Sequence, residues 1–147
     1  MQTRLAHLPL RASAGAYLLN SGLAKLQADE EHHKHVHALA VQAYPVFGAL
    51  DAKVFNKVLG TTEVALGSTL LVPFVSSRLA GLSLGSFSAL LLGLYARVPG
   101  MHHDGTLRPT DFGLSFAKDS WLAGIALALL IDGMTRSPKQ KRVDASD

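Results

Sequence analysis

Between Arg78 and Arg97 the chain reads RLAGLSLGSFSALLLGLYAR, with no charged side chain inside those two arginines. A helix of about 20 such residues matches the hydrocarbon thickness of a bilayer. It also lacks the charged face that a surface helix of a water-soluble bundle presents. No other feature narrows the fold as much. Three companion stretches share the apolar character: residues 10–26 (LRASAGAYLLNSGLAKL), 54–75 (VFNKVLGTTEVALGSTLLVPFV) and 119–134 (DSWLAGIALALLIDGM), beside 78–96 itself. Apolar residues make up 48% of the chain and charged residues 17%, against a usual charged share of roughly 25%. Length allows one domain. The expectation is an all-α, four-transmembrane-helix bundle over residues 1–135, followed by a basic cytoplasmic tail at 136–147 that is too charged to fold alone.

Pro9 suits the first turn of a helix, where its missing N–H is not needed. No small-x-small cleavage site follows the first apolar stretch, so it reads as a retained helix. The long polar connection from Lys25 to Lys53 is expected to hold a short helix, from about Asp29 to Ala43, that ends at Pro45. Ser76 and Ser77 leave only a tight link, which predicts that the second and third spans form an antiparallel hairpin. Residues 97–113 carry Pro99, Gly100, Gly105 and Pro109, all turn formers. An even number of spans puts both termini on one side. Arg4, Arg11, Arg78, Arg136, Lys139, Lys141 and Arg142 fall there, against Lys25, Lys34, Lys53, Lys57, Arg97, Arg108 and Lys118 opposite. The terminal set is concentrated in fewer residues, and the positive-inside bias then predicts cytoplasmic termini in a multi-pass cell-membrane protein.

The order of these features resembles the DoxX-like family of small four-helix membrane proteins. Arg11, then Gly22 and Lys25, look like the family's opening helix. Glu63 and Gly67 in TTEVALGSTLLV are similar to its second helix, and AKDSWLAGIALALLIDG resembles its last. The resemblance covers most of the chain from Arg11 to Gly133. The His-rich and Pro/Gly-rich outer loops stand outside it. It implies a membrane subunit or anchor of a redox or oxidative-stress-defence complex. Some members are described as subunits of thiosulfate–quinone oxidoreductases, others as partners of superoxide dismutase and a sulfurtransferase. Fold constrains reaction weakly. A second reading is a non-catalytic scaffold or assembly factor for an envelope complex, and a small transporter ranks below both. The implied partners are the bilayer, membrane or outer-face proteins and a second copy of the chain.

Several residues carry possible chemistry. Glu63 lies on the order of 13 Å into its helix, a depth at which a carboxylate must be paired or protonated. Asn20, Lys25, Glu63 and Arg97 are expected to share an intramembrane polar pocket in the outer half of the bundle. That pocket is either a structural ion pair or a site for a quinone, a substrate or a proton. Gly81, Gly85, Ala89 and Gly93 recur every fourth residue and predict close helix packing, within the bundle or across a dimer seam. Ser120, Gly124 and Ala128 repeat the pattern. The histidines cluster in EEHHKHVH and MHHDG, both on the outer side. His32, His33, His35, His37, His102, His103 and Asp104 form a candidate site for a divalent metal, zinc or copper, or else a hydrated, proton-responsive polar surface. The absence of cysteine excludes disulfides, thiolate metal sites and CxxC redox exchange within the chain. The formal charge of +3 gives no footprint for nucleic acid. No Gly-rich phosphate cradle, nucleophile elbow or Rossmann fingerprint is present.

Overall fold

The computed structural model describes residues 7–135, and those residues are helical with no strand among them. The helices are α1 (Leu8–Leu26), α2 (Glu30–Ala43), α3 (Ala52–Leu71), α4 (Ser77–Arg97), the single turn α5 (Leu114–Ala117) and α6 (Ser120–Thr135); a 3-10 turn, Pro45–Ala49, joins α2 to α3. Arg4 and the tail at 136–147 lie outside the described residues.

Local chemistry sets the boundaries. Pro9 sits in the first turn of α1. Asp29 caps α2 by accepting from the His32 N–H at 2.8 Å, and Pro45 closes α2 by opening the 3-10 turn. Asp51 caps α3 through the N–H groups of Lys53 and Val54, and Ser76 caps α4 through Leu79. The second apolar stretch extends to residue 75, yet α3 ends at Leu71. Pro73 forces this: the residue before a proline is pushed out of helical geometry, and Val72 is extended with φ −76° and ψ 116°.

The expected hairpin of α3 with α4 is not how the bundle packs. α3 lies chiefly against α1, and α4 chiefly against α6. Arg11 supplies the reason. It is 2% exposed and donates to the carbonyls of Thr69, Leu70, Val72 and Val75. These are the last turn of α3 and the extended link to α4. One guanidinium from α1 thus holds the end of α3 to α1. Two glycine pairs then bring the helix backbones together. A Cβ on Gly22 would lie 2.6 Å from the Gly60 carbonyl, and one on Gly67 would lie 2.7 Å from the Gly15 carbonyl. Small residues permit this approach where larger ones would force the helices apart.

A main core runs through all the long helices, with Ala14, Leu18, Leu70, Leu84, Phe87, Leu122 and Leu129 at its centre. A second, smaller core covers the end opposite the termini. There Leu39 and Ala43 of α2 meet Tyr95, Val98 and Met101. The 98–113 connection is therefore a folded cap. Met101 is fully buried, Thr110 hydrogen-bonds the Gly100 and Met101 carbonyls, and Gly100 takes φ +83° at its turn.

Many large apolar side chains face outward from the bundle. Val54, Val58, Leu79, Leu82, Leu90, Leu127, Ile131 and Met134 are exposed. The segments Ser77–Arg97 and Leu114–Met134 are long and apolar enough to cross a membrane. Their most apolar windows are only 33% and 28% buried, whereas the core helix of a water-soluble protein is mostly buried. Two hydroxyls on α3 bond within the helix, Thr62 donating to Val58 O and Thr69 to Ala65 O, which is how such groups are tolerated away from water.

Candidate functional site

The polar interior lies at the α2 end of the bundle. Lys25, in the last turn of α1, reaches across to α3 and donates to Glu63 Oε2 at 2.9 Å. It also donates to Ser21 Oγ at 2.7 Å, one turn back on its own helix. Glu63 is 4% exposed, so its charge depends on this single cation. Asn56, fully buried about two turns before Glu63 on α3, donates from Nδ2 to the Lys25 carbonyl at 2.9 Å and so ties the end of α1 to α3.

A third ionisable group joins from α6. Asp119 is 8% exposed and lies within electrostatic reach of both Glu63 and Lys25. Tyr17 of α1 lies within electrostatic reach of both carboxylates. Its ring packs edge-on against Trp121, with centroids 5.6 Å apart. Both rings are partly exposed on the outer surface, so a buried ionisable cluster sits behind an aromatic rim.

Of the four residues expected to share this pocket, Lys25 and Glu63 meet. Asn20 and Arg97 do not. Asn20 lies on the exposed face of α1, because residues five apart on a helix stand well off one another's face. Arg97 ends α4 on the outside, with its guanidinium 4.7 Å above the Tyr44 ring. The places assigned to them belong to Ser21, one turn from Lys25, and to Asp119. The i, i+4 spacing of Ser21 and Lys25 was available to sequence reasoning. Asp119 could not be found that way, because it lies far along the chain at the start of another helix.

The repeated small residues divide by face. Gly81 packs against Ala126 and Leu130 of α6, Gly85 touches Ala126 at ordinary contact distance, and Gly93 faces the Tyr44 hydroxyl, which donates to Leu90 O. Ala89 is exposed. These contacts are internal to the bundle. On α6, Gly124 faces open space.

The histidines stay apart. His33 is buried under α2, with no hydrogen-bond partner for Nε2. His37 contacts the Phe47 carbonyl through Nε2 and packs on Phe55. His32 and His35 are exposed. His102 packs against Tyr95 in the other loop, and His103 and Asp104 are exposed. Among the described residues, no group of three His, Asp or Glu side chains is placed to hold one metal ion. Helical geometry explains this, since α2 splays its four imidazoles around its axis and buries one of them. An open cleft of about 310 Å³ lies beside His33, lined by Glu30, Lys34, Asp51 and Lys53.

Comparison with family models, curated proteins and solved structures gives no match.

Proposed function

We propose that the protein is a DoxX-like integral membrane protein, with four spans and cytoplasmic termini, serving as a subunit or anchor of a redox or oxidative-stress-defence complex in the cell membrane. The observation that carries this reading is the Lys25–Glu63 pair, held between α1 and α3 inside a bundle that exposes many large apolar side chains. Among the described residues, two segments pass the test of length and apolarity for crossing a membrane. The charges on α1 and α3 nevertheless suit two further spans. Arg11, Lys25 and Glu63 are turned inward and bonded, and Lys53 and Lys57 fall in the first turns of α3, near the polar boundary. The order of Arg11, Gly22, Lys25, Glu63 and Gly67 fits the family pattern. Tyr17 and Trp121, beside buried carboxyl groups, form the kind of surface a lipid-soluble quinone ring would meet.

The test is fractionation of cells followed by capture of the full chain in mild detergent. Recovery in the membrane fraction with oxidoreductase subunits supports the reading. Recovery in the soluble fraction overturns it. Co-purification of envelope-assembly proteins would favour the scaffold reading, which the exposed, charged, His-bearing face of α2 and its adjoining cleft support. Glu63→Gln in a folded protein should lower the activity of the captured complex. Unchanged activity would leave the ion pair a purely structural role.

A further inference from the structure

Between the starts of α2 and α3 lies the open cleft of about 310 Å³, a volume at the low end of small-ligand sites. Its wall carries Glu30, His33 and Lys34 from α2 and Asp51 and Lys53 from the start of α3. Two carboxylates and two ammonium groups thus surround one imidazole. His33 is 6% exposed, and its Nε2 is buried with no hydrogen-bond partner. A buried polar atom left unpaired weakens a fold. The Cβ–Cγ torsion of histidine is broad, so a modest turn of the ring offers Nε2 to the cleft that the ring already lines. The charged groups are open to a ligand as well. Asp51 accepts from the Lys53 and Val54 N–H groups through Oδ1, which leaves Oδ2 to face a guest. The Glu30–Lys34 pair, at 2.6 Å, is solvent-exposed on both sides, where such pairs hold weakly.

The mixed charge selects the guest. A lone anion would meet two carboxylates. A lone metal cation would meet two ammonium groups, and no group of three ligating side chains is placed for one among the described residues. A molecule that carries an anion and an ammonium a few bonds apart answers both sets. No Phe, Tyr or Trp lines the cleft, so nothing there cages a quaternary ammonium, whereas a primary ammonium can donate to the carboxylates. Just past Lys53, Val54 and Val58 stand one turn apart on α3, 49% and 58% exposed, and offer an apolar path for an acyl chain. We propose that this cleft binds the headgroup of an ethanolamine phospholipid, with its phosphodiester at Lys53 and His33 and its ammonium at Asp51 and Glu30. The proposal rests on the membrane-bundle reading, in which the start of α3 lies at the polar boundary of the bilayer.

The test is native mass spectrometry of the full chain in mild detergent, titrated with phosphatidylethanolamine, phosphatidylcholine or phosphatidylglycerol of matched acyl chains. The ethanolamine lipid should bind as one equivalent, about tenfold more tightly than either of the others. Lys53→Glu changes an exposed side chain, so the protein should fold while the preference disappears. Lys118→Glu, exposed in the other loop, should keep it. Adding the ethanolamine lipid should also slow hydrogen exchange in the first turns of α2 and α3. Equal binding of the three lipids, or a preference that survives Lys53→Glu or is lost equally in Lys118→Glu, overturns the proposal. So does glycerophosphoethanolamine, the headgroup without its chains, competing on equal terms, because the ligand is then a soluble molecule and not a lipid. A chain recovered as a water-soluble protein overturns the membrane reading and this proposal together. A membrane-embedded chain with no lipid preference overturns this proposal alone.

Discussion

α1 carries two cations, and both reach across to α3, but they do different things there. Arg11 binds four backbone carbonyls at the terminal end. Lys25 binds one carboxylate at the other end. A guanidinium is planar, holds its charge at any accessible pH and offers five donors in a fixed fork. Carbonyl oxygens do not titrate. The Arg11 contact is therefore a clamp with no chemical variable in it. The ammonium of Lys25 is a point charge, and its partner is a second ionisable side chain, Glu63. Where the bundle needs only mechanical closure it uses arginine on backbone. Where two side chains close the gap between helices, it uses lysine on a carboxylate.

The sharpest way to break this contrast is Lys25→Met. Glu63 would be left buried and unpaired, which in other proteins lowers stability by about 3–5 kcal/mol. Replacing both partners, Lys25→Met with Glu63→Leu, should recover most of that loss, because no stranded charge remains. Unfolding of the two variants in detergent, followed by helical circular dichroism, measures the difference. A single variant as stable as wild type would mean that Glu63 does not depend on Lys25.

Arg11→Lys keeps the charge and removes the fork. With hydrogen bonds to charged groups contributing about 1.5–3 kcal/mol each, losing one of the four should lower stability by roughly 2 kcal/mol. Hydrogen exchange should quicken at the amides of the 69–75 segment, with little change near Glu63. An equal effect at both ends would show that the two contacts are one cooperative unit.

Gly22→Ala probes what the two ends share, the spacing of α1 and α3. The added methyl would meet the Gly60 carbonyl and the Val64 backbone nitrogen, neither of which can rotate aside. Overpacking of this kind costs about 1–3 kcal/mol, and both cations would lose reach together. An alanine accommodated without loss would show that the helices have room to part.

How far the sequence reveals this arrangement depends on the range of the interaction. Asp29, Asp51, Pro45 and Pro73 act within a few residues, so the helix boundaries they set can be read directly, and α3 overruns only where the apolar run continued past Pro73. Lys25 and Glu63 are conspicuous because a charge in an apolar stretch needs an explanation. Arg11 is equally charged, but it sits near a helix start and reads as a boundary residue. Its burial depends on where α3 ends, which only the packed helices define. Asp119 is hidden for the opposite reason. An aspartate before a helix is expected to cap it, and nothing in DSWLAG says that the side chain turns inward. The glycines of α4 stand out by regular spacing, while the closer contacts at Gly15–Gly67 and Gly22–Gly60 come from two helices whose register must be known first.

The smallest expected effect comes from the caps, and it bears on the same contrast. Asp29→Ala removes the bond to the His32 N–H at the start of α2, which should lower local stability by about 1 kcal/mol. α2 lies over the Lys25 end and has no counterpart among the described residues at the Arg11 end. Fraying of α2 should therefore speed hydrogen exchange in its first turn and admit water toward Lys25, whose side chain is already 19% exposed. The contacts of Arg11 should not respond. Asp119→Ala, made as the companion variant, removes no capping bond, so the first turn of α6 should keep its protection. If α6 frays as α2 does, Asp119 is an ordinary cap after all.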